Sequence, residues 1–157
     1  MSTFIGDFVC KADQKGRFVL PAAFKKEMNA AGDDRFVVRK DFFENCLVLY
    51  PYAEWEQELG RIRAKLNLYN KEHNSFYREL FRGSAEISFD TAGRMLIPKR
   101  LFDMIGSPKE VVMLGVDRKI EIWDNESYGQ AEMGSDVLGD LASKILGSGI
   151  SNLLSGE

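Results

Sequence analysis

Phe4 to Phe24 reads FIGDFVCKADQKGRFVLPAAF, and Phe81 to Leu101 reads FRGSAEISFDTAGRMLIPKRL. Six of the 21 aligned positions are identical: Phe4/Phe81, Gly6/Gly83, Asp13/Asp90, Gly16/Gly93, Arg17/Arg94 and Pro21/Pro98. Unrelated stretches of average composition would share roughly one. Other positions match in character, such as Leu20 with Ile97. The chain therefore carries an internal duplication. Two copies are too few for a stacked solenoid, and they fit a pseudo-two-fold pair that buries one face against the other.

Each copy opens on an alternating run. Ala85, Ile87 and Phe89 oppose Glu86, Ser88 and Asp90, as Phe8, Cys10 and Ala12 oppose Val9, Lys11 and Asp13. Asp-x-x-Gly follows, with Asp placed to accept backbone hydrogen bonds and Gly free to take positive φ. A second apolar run follows, Arg17 to Leu20 or Arg94 to Ile97, so the reading predicts a hairpin in each copy. Pro21 and Pro98 cannot donate to a ladder and suit a helix start, which predicts helices over Ala22–Met28 and Lys99–Ile105.

Both copies continue alike, with β-rich runs at Arg35–Arg39 and Val111–Gly115. Further strands follow at Cys46–Tyr50 and Ile120–Trp123. Between the copies, Trp55, Leu59, Ile62 and Leu66 form a helical stripe, and a second helix is expected from Asn70 to Phe81. The expected organisation is a first repeat with its helix at 1–66, a connecting helix at 67–80, a second repeat at 81–128, and a tail at 129–157. That tail is Gly- and Ser-rich and reads as loose, although Val137, Leu138, Leu141 and Ile145 fit one short amphipathic helix. The fold class is α+β, mainly β.

Composition limits function. The 157 residues are 45% hydrophobic and 29% charged, which excludes disorder. No run of about 18 apolar residues exists to span a membrane. The first residues lack the pattern of a secretory signal. Two cysteines, Cys10 and Cys46, make no disulfide framework and fit a reducing cytoplasm. The formal charge of −3 argues against coating nucleic acid by bulk positive charge. Residues 1–128 hold 20 basic and 20 acidic side chains, however, so the whole deficit lies in the tail.

No catalytic constellation emerges, and an enzyme is not expected. His73 is the one histidine and reads as a solvated helix residue. The cysteines lack C-x-x-C spacing, so neither a metal site nor a cofactor is expected, and no glycine-rich phosphate cradle occurs. Asp13 and Asp90 near a pseudo-dyad bear comparison with an aspartic-protease pair. Gly93 falls one residue late for that motif, and Lys15 and Arg17 beside Asp13 would lower its pKa rather than raise it.

The duplicated Asp-x-x-Gly-Arg carries the functional signal. A tight turn needs its Asp and Gly, with Arg pairing loosely to Asp. Turn geometry does not require the Arg, yet both copies have it, as Arg17 and Arg94. A two-stranded ribbon fits the DNA major groove, where Arg makes bidentate contacts to guanine or phosphate. From Lys11 to Lys26 there are five basic residues, Lys11, Lys15, Arg17, Lys25 and Lys26, against Asp13 alone. From Ser88 to Arg100 three stand against Asp90. The first turn is therefore the stronger electrostatic footprint. Lys25 and Lys26 fit a solvated helix face as well as phosphate contact.

At these residues the chain resembles the MraZ family of bacterial transcriptional regulators. The match rests on Asp13-Gln14-Lys15-Gly16-Arg17 with Val19-Leu20-Pro21, on Asp90-Thr91-Ala92-Gly93-Arg94 with Leu96-Ile97-Pro98, and on Leu49-Tyr50-Pro51 with Trp55. It covers roughly the first 130 residues. The resemblance implies two AbrB-like units in one chain, forming a pseudo-two-fold swapped-hairpin β-barrel with intervening helices. It also implies ring-shaped homo-oligomers, a cytoplasmic protein associated with the nucleoid, and binding to direct repeats in double-stranded DNA upstream of the family's own division and cell-wall gene cluster. The family's Asp-x-x-x-Arg signature maps onto Asp13 with Arg17 and onto Asp90 with Arg94. Ala92 replaces Lys15 in the second copy. The expected DNA contacts are Arg17, Lys15, Arg94 and Lys11, with Asp13, Gly16, Asp90 and Gly93 setting the turns. Arg94 fits either DNA contact or support of the barrel. The alternative class is an AbrB-like interaction module of antitoxin type, which holds a partner through its tail.

Overall fold

The computed structural model describes residues 3–147. The alternation of the first repeat becomes strand β1 (Phe4–Lys11), followed by β2 (Arg17–Val19), helix α1 (Ala22–Ala31), β3 (Arg35–Lys40) and β4 (Cys46–Pro51). Helices α2 (Tyr52–Ala64) and α3 (Lys71–Arg82) follow. The second repeat supplies β5 (Ser84–Ser88), β6 (Arg94–Leu96), α4 (Lys99–Phe102) with a 3-10 turn at Asp103–Ile105, β7 (Glu110–Asp117) and β8 (Lys119–Asp124). Short α5 (Asn125–Gln130) and α6 (Ser135–Leu146) complete the described chain.

Every ladder is antiparallel, and most of them join one repeat to the other. The large sheet has the order β1-β7-β8-β4-β3-β5, while β2 and β6 pair separately. The order reads the same from either end once repeat equivalents are exchanged, so the pseudo-two-fold axis passes between β4 and β8. There Leu47 faces Ile122 and Leu49 faces Ile120. Two expectations are corrected. The large sheet is open, with β1 and β5 as its edges, and is not a closed barrel: the three-residue β2 and β6 pair only with each other and bridge neither edge. Nor is the run before each Asp-x-x-Gly turn the ladder partner of the run after it. β1 lies along the whole of β7, from Phe4 opposite Asp117 to Lys11 opposite Glu110. β2 instead meets β6, where Phe18 and Met95 pair and are both buried.

Apolar burial explains the exchange. One core gathers Phe4, Phe18, Leu20 and Phe24 from the first repeat with Phe89, Met95, Ile97 and Leu101 from the second. A short strand buries one face cheaply only when a partner covers it, and each repeat supplies the other's cover. On the opposite side of the sheet Val37, Val48 and Tyr50 pack with Trp55 and Leu80. β4 is therefore buried on both faces from Cys46 to Tyr50, which accounts for its unbroken apolar run.

The helical stripe at Trp55, Leu59 and Ile62 faces this second cluster, as its spacing predicts, whereas Leu66 falls beyond the end of α2. His73 lies half-buried in the first turn of α3. Its Nδ1 accepts the Asn67 N–H at 2.9 Å, and its own N–H is capped by the Asn70 side chain at 3.1 Å. His73 thereby locks the α2–α3 turn. The chain divides between Ser127 and Tyr128 into two compact units. In the second, residues 135–146 take the helical alternative, while the end of the expected tail lies outside the described residues. Among the described residues no helix is long and apolar enough to cross a membrane.

Candidate nucleic-acid interface

The two Asp-x-x-Gly-Arg turns are built alike. In the first, the Asp13 carboxylate accepts the backbone N–H groups of Lys15 at 2.9 Å and Arg17 at 2.8 Å through Oδ1. Its Oδ2 accepts Nε of Arg17 at 2.9 Å. The backbone closes with the Gly16 N–H on the Asp13 carbonyl at 3.0 Å and the Asp13 N–H on the Arg17 carbonyl at 2.8 Å. In the second, Asp90 accepts the N–H groups of Ala92 at 3.0 Å and Arg94 at 2.9 Å, and Nε of Arg94 at 2.8 Å. Gly16 and Gly93 both sit at φ +81°, a conformation that side chains other than hydrogen adopt at a cost.

These bonds favour the ionised carboxyl. The Arg17 backbone N–H, with its guanidinium and the Lys15 N–H, holds Asp13 below the usual carboxylate range. Arg94 and Ala92 do the same for Asp90. Each acid is thus neutralised within its own turn, the opposite of a proton-sharing pair. The loose Asp–Arg pairing expected of a plain turn is also corrected: Arg closes the turn through Nε. That bond uses only one of the guanidinium's nitrogens. The Nη groups of Arg17 and Arg94 have no protein partner among the described residues.

The β2–β6 register decides where these groups stand. Arg17 lies opposite Leu96 and Val19 opposite Arg94. Residues two apart share a face, and cross-strand partners share it too. One face of the ribbon therefore carries Arg17, Val19, Arg94 and Leu96, with both aliphatics 56% exposed. The other face buries Phe18 and Met95. Sequence reading anticipated a ribbon within each repeat; the structure makes one ribbon from both, flanked by the two turns.

Of the remaining cations, Lys15 is exposed at the tip of the first turn. Lys11 lies outside the ribbon, and its amine reaches Glu110 across the β1–β7 ladder at 3.8 Å. On α1, Lys25 Nζ donates to the Thr91 carbonyl at 2.5 Å, bracing the second turn. No local signal pairs residues 66 positions apart, so this brace was not legible. The exposed Val19 and Leu96 were foreshadowed only by alternation with Phe18 and Met95.

Among the described residues, one group brings metal-ligating types together: Asp41, Cys46 and Glu121, with ligand atoms within 4.8 Å of one another. Asp41 already accepts the N–H groups of Phe43 and Glu44 at 3.0 and 2.8 Å, and Glu121 accepts the Trp123 indole N–H at 3.0 Å. Burial pushes the Cys46 thiol up to about 12.

Comparison with known proteins gives the family. The family described as "MraZ protein, putative antitoxin-like" matches residues 3–79 and again residues 80–136. The chain belongs to the MraZ family. Among its relatives, a protein of Christiangramia forsetii named "Transcriptional regulator MraZ" is 40% identical over 149 residues, covering 94% of this chain and 96% of the relative. A protein of Bacteroides thetaiotaomicron with the same name is 36% identical over 146 residues, covering 93% and 94%. Another of that name, from Clostridium acetobutylicum, is 33% identical over 147 residues, covering 94% and 99%. The double MraZ match and the cross-repeat ladders agree that two homologous units share one chain.

Proposed function

We propose that this protein is a sequence-specific DNA-binding transcriptional regulator whose β2–β6 ribbon presents Arg17 and Arg94 to the major groove. The observation that carries the reading is the state of the two arginines. Each is anchored through Nε to its own aspartate and leaves its Nη groups unengaged on one exposed ribbon face. A guanidinium held at its base loses less rotamer freedom when it grips guanine or phosphate. Lys15 adds a phosphate contact beside Arg17, and Lys11 a weaker one. Asp13, Gly16, Asp90 and Gly93 set the turns. The names of the relatives support regulation of transcription.

One chain offers few cations, so single-site affinity at physiological salt is low. A ring-shaped homo-oligomer, presenting successive ribbons to direct repeats upstream of the division and cell-wall cluster, recovers affinity through effective concentration. In this reading the protein works in the cytoplasm, on the nucleoid, and both units have the AbrB-like swapped-hairpin ancestry that cross-repeat pairing supports. The antitoxin-like wording of the family description favours a second reading, an interaction module that holds a protein partner.

The test is an electrophoretic shift on DNA from upstream of the protein's own gene, against random duplex, at several salt concentrations. The regulator reading expects preference for the upstream DNA, and weaker binding by Arg17→Ala and Arg94→Ala. No preference over random duplex overturns it. Undiminished binding by both variants moves the contact away from the ribbon.

A further inference from the structure

Arg39 stands out among the charged residues because it lies in the sheet rather than on it. Its side chain is on β3 and the residue is only 5% exposed. The guanidinium is held between two rings, with its carbon 4.2 Å from the centroid of Phe42 and 5.2 Å from that of Tyr50. Nη2 donates to the Tyr50 hydroxyl at 2.7 Å and Nη1 to the Lys40 carbonyl at 3.2 Å. Nε is buried and has no hydrogen-bond partner. No carboxylate among the described residues forms an ion pair with Arg39. A buried cation without a counter-charge is costly, and such groups are normally paired.

The surroundings compound this. Arg39 lines a hollow of about 560 Å³ together with Lys40, Arg82, Arg100, Phe42 and Phe76. The acids in its wall, Asp41 and Glu79, are already engaged. Asp41 caps the following turn, and Glu79 pairs with Arg82 at 2.9 Å. Lys40 donates only to the carbonyls of Asp41 at 3.2 Å and Glu44 at 2.5 Å. Arg100 donates only to the carbonyls of Arg82 and Ser84. Three cationic residues thus line one hollow with no carboxylate partner of their own. Beside them the rings of Phe42 and Phe76 lie 5.5 Å apart, and both are over 40% exposed.

We propose that this hollow binds a small organic phosphate carrying a flat ring, for which a nucleoside monophosphate is the simplest chemistry. The phosphoryl group lies among Arg39, Lys40 and Arg100, which supply the charge-assisted donors that a phosphate accepts. The ring lies against the exposed part of Phe76, beside Phe42, one side of which is taken by the Arg39 guanidinium. A concave site of this volume suits a small ligand, whereas a duplex backbone follows protruding side chains and does not reach a guanidinium this deeply buried. The site is distinct from the β2–β6 ribbon and uses none of its residues.

Calorimetric titration of the full-length protein with AMP, adenosine and inorganic phosphate tests the proposal. Saturable AMP binding is expected, with adenosine and inorganic phosphate each weaker by at least about tenfold, since each lacks one of the two contacts. Arg39 is a core residue, so the location is tested with Arg100→Ala and Phe76→Ala, both at exposed positions. Each should weaken AMP at least about tenfold while the melting temperature stays within about 2 °C. Arg17→Ala should leave AMP binding unchanged whether or not the ribbon binds DNA. Absence of saturable AMP binding, equal binding of adenosine, equal binding of inorganic phosphate, or undiminished binding by Arg100→Ala overturns the proposal. Loss of AMP binding in Arg17→Ala would place the phosphate on the ribbon and overturn it as well.

Discussion

Replacing Gly115 with alanine tests the β1–β7 ladder that ties the two repeats together. Gly115 faces Gly6 in that ladder. A Cβ at Gly115 would stand 2.5 Å from the carbonyl carbon of Phe4, 2.6 Å from the nitrogen of Ile5 and 2.8 Å from the oxygen of Phe4. Carbon contacts are comfortable at about 3.5–4.0 Å, so the two backbones must part by roughly 1 Å. All three atoms belong to the backbone of a paired strand, and none can swing aside as a side chain would. Parting loosens about two ladder hydrogen bonds, each worth about 1 kcal/mol net. It also draws out Phe4, which is 1% exposed and packed edge-on against Phe24 at 5.5 Å. Partial exposure of that ring adds about 1–2 kcal/mol, for a total near 3–4 kcal/mol. Urea unfolding followed by tryptophan fluorescence measures the loss, and amide exchange locates it. The midpoint should fall, and amides of β1 should lose protection before those of β4. A loss under about 1 kcal/mol with β1 still protected would refute the close approach of these strands.

Other consequences can be measured in the same protein. Gly60 lies inside α2 with open space where its Cβ would be, so Gly60→Ala should raise stability by about 0.5–1 kcal/mol in the same urea assay. Cys46 is fully buried with its thiol pushed up to about 12, while Cys10 is raised by partial burial. Alkylation at pH 8 should label Cys10 slowly and Cys46 only in denaturant, as mass spectrometry would show. Asp13 and Asp90 have folded values depressed by their own arginines. The stability they contribute is complete above the unfolded value of about 3.9 and is lost as pH falls through the folded value. Carboxyl NMR should find both midpoints below about 3.9, and Arg17→Ala should raise that of Asp13 and leave that of Asp90 in place.

Local chemistry was the legible part of this chain. The alternation of Ala85, Ile87 and Phe89 foretold which side of β5 is buried, because a pleated strand has a period of two whatever its partner. Pro21 and Pro98 marked helix starts because a fixed φ and a missing donor act within one residue. Partner choice was not legible. The pattern of Phe4–Lys11 suits any antiparallel neighbour, and the turn at Asp13 made β2 the obvious one. Burial of Phe18 against Met95 outweighs that proximity, and it depends on residues far apart in the chain. At the candidate interface, the sequence singled out both arginines but not the division of labour within each guanidinium, Nε to the turn and Nη outward. That division depends on angles that spacing does not encode. Arg39 was invisible for the same reason: a cation in a strand reads as solvent-facing until the rings of Phe42 and Tyr50 close around it.

The exchange of strands between repeats also has a consequence for synthesis on the ribosome. Phe4 cannot find its place until Asp117 has emerged, and Arg17 has no ribbon partner until Leu96 is made. At ordinary elongation rates that wait is on the order of ten seconds. Meanwhile the nascent first repeat holds β3 and β4 with their apolar faces uncovered. A chain terminated anywhere before β8 lacks the Leu49–Ile120 seam at the centre of the sheet. The two arginines can come together on one face only after Leu96 has been made, so the geometry of the candidate interface depends on translation reaching well into the second repeat.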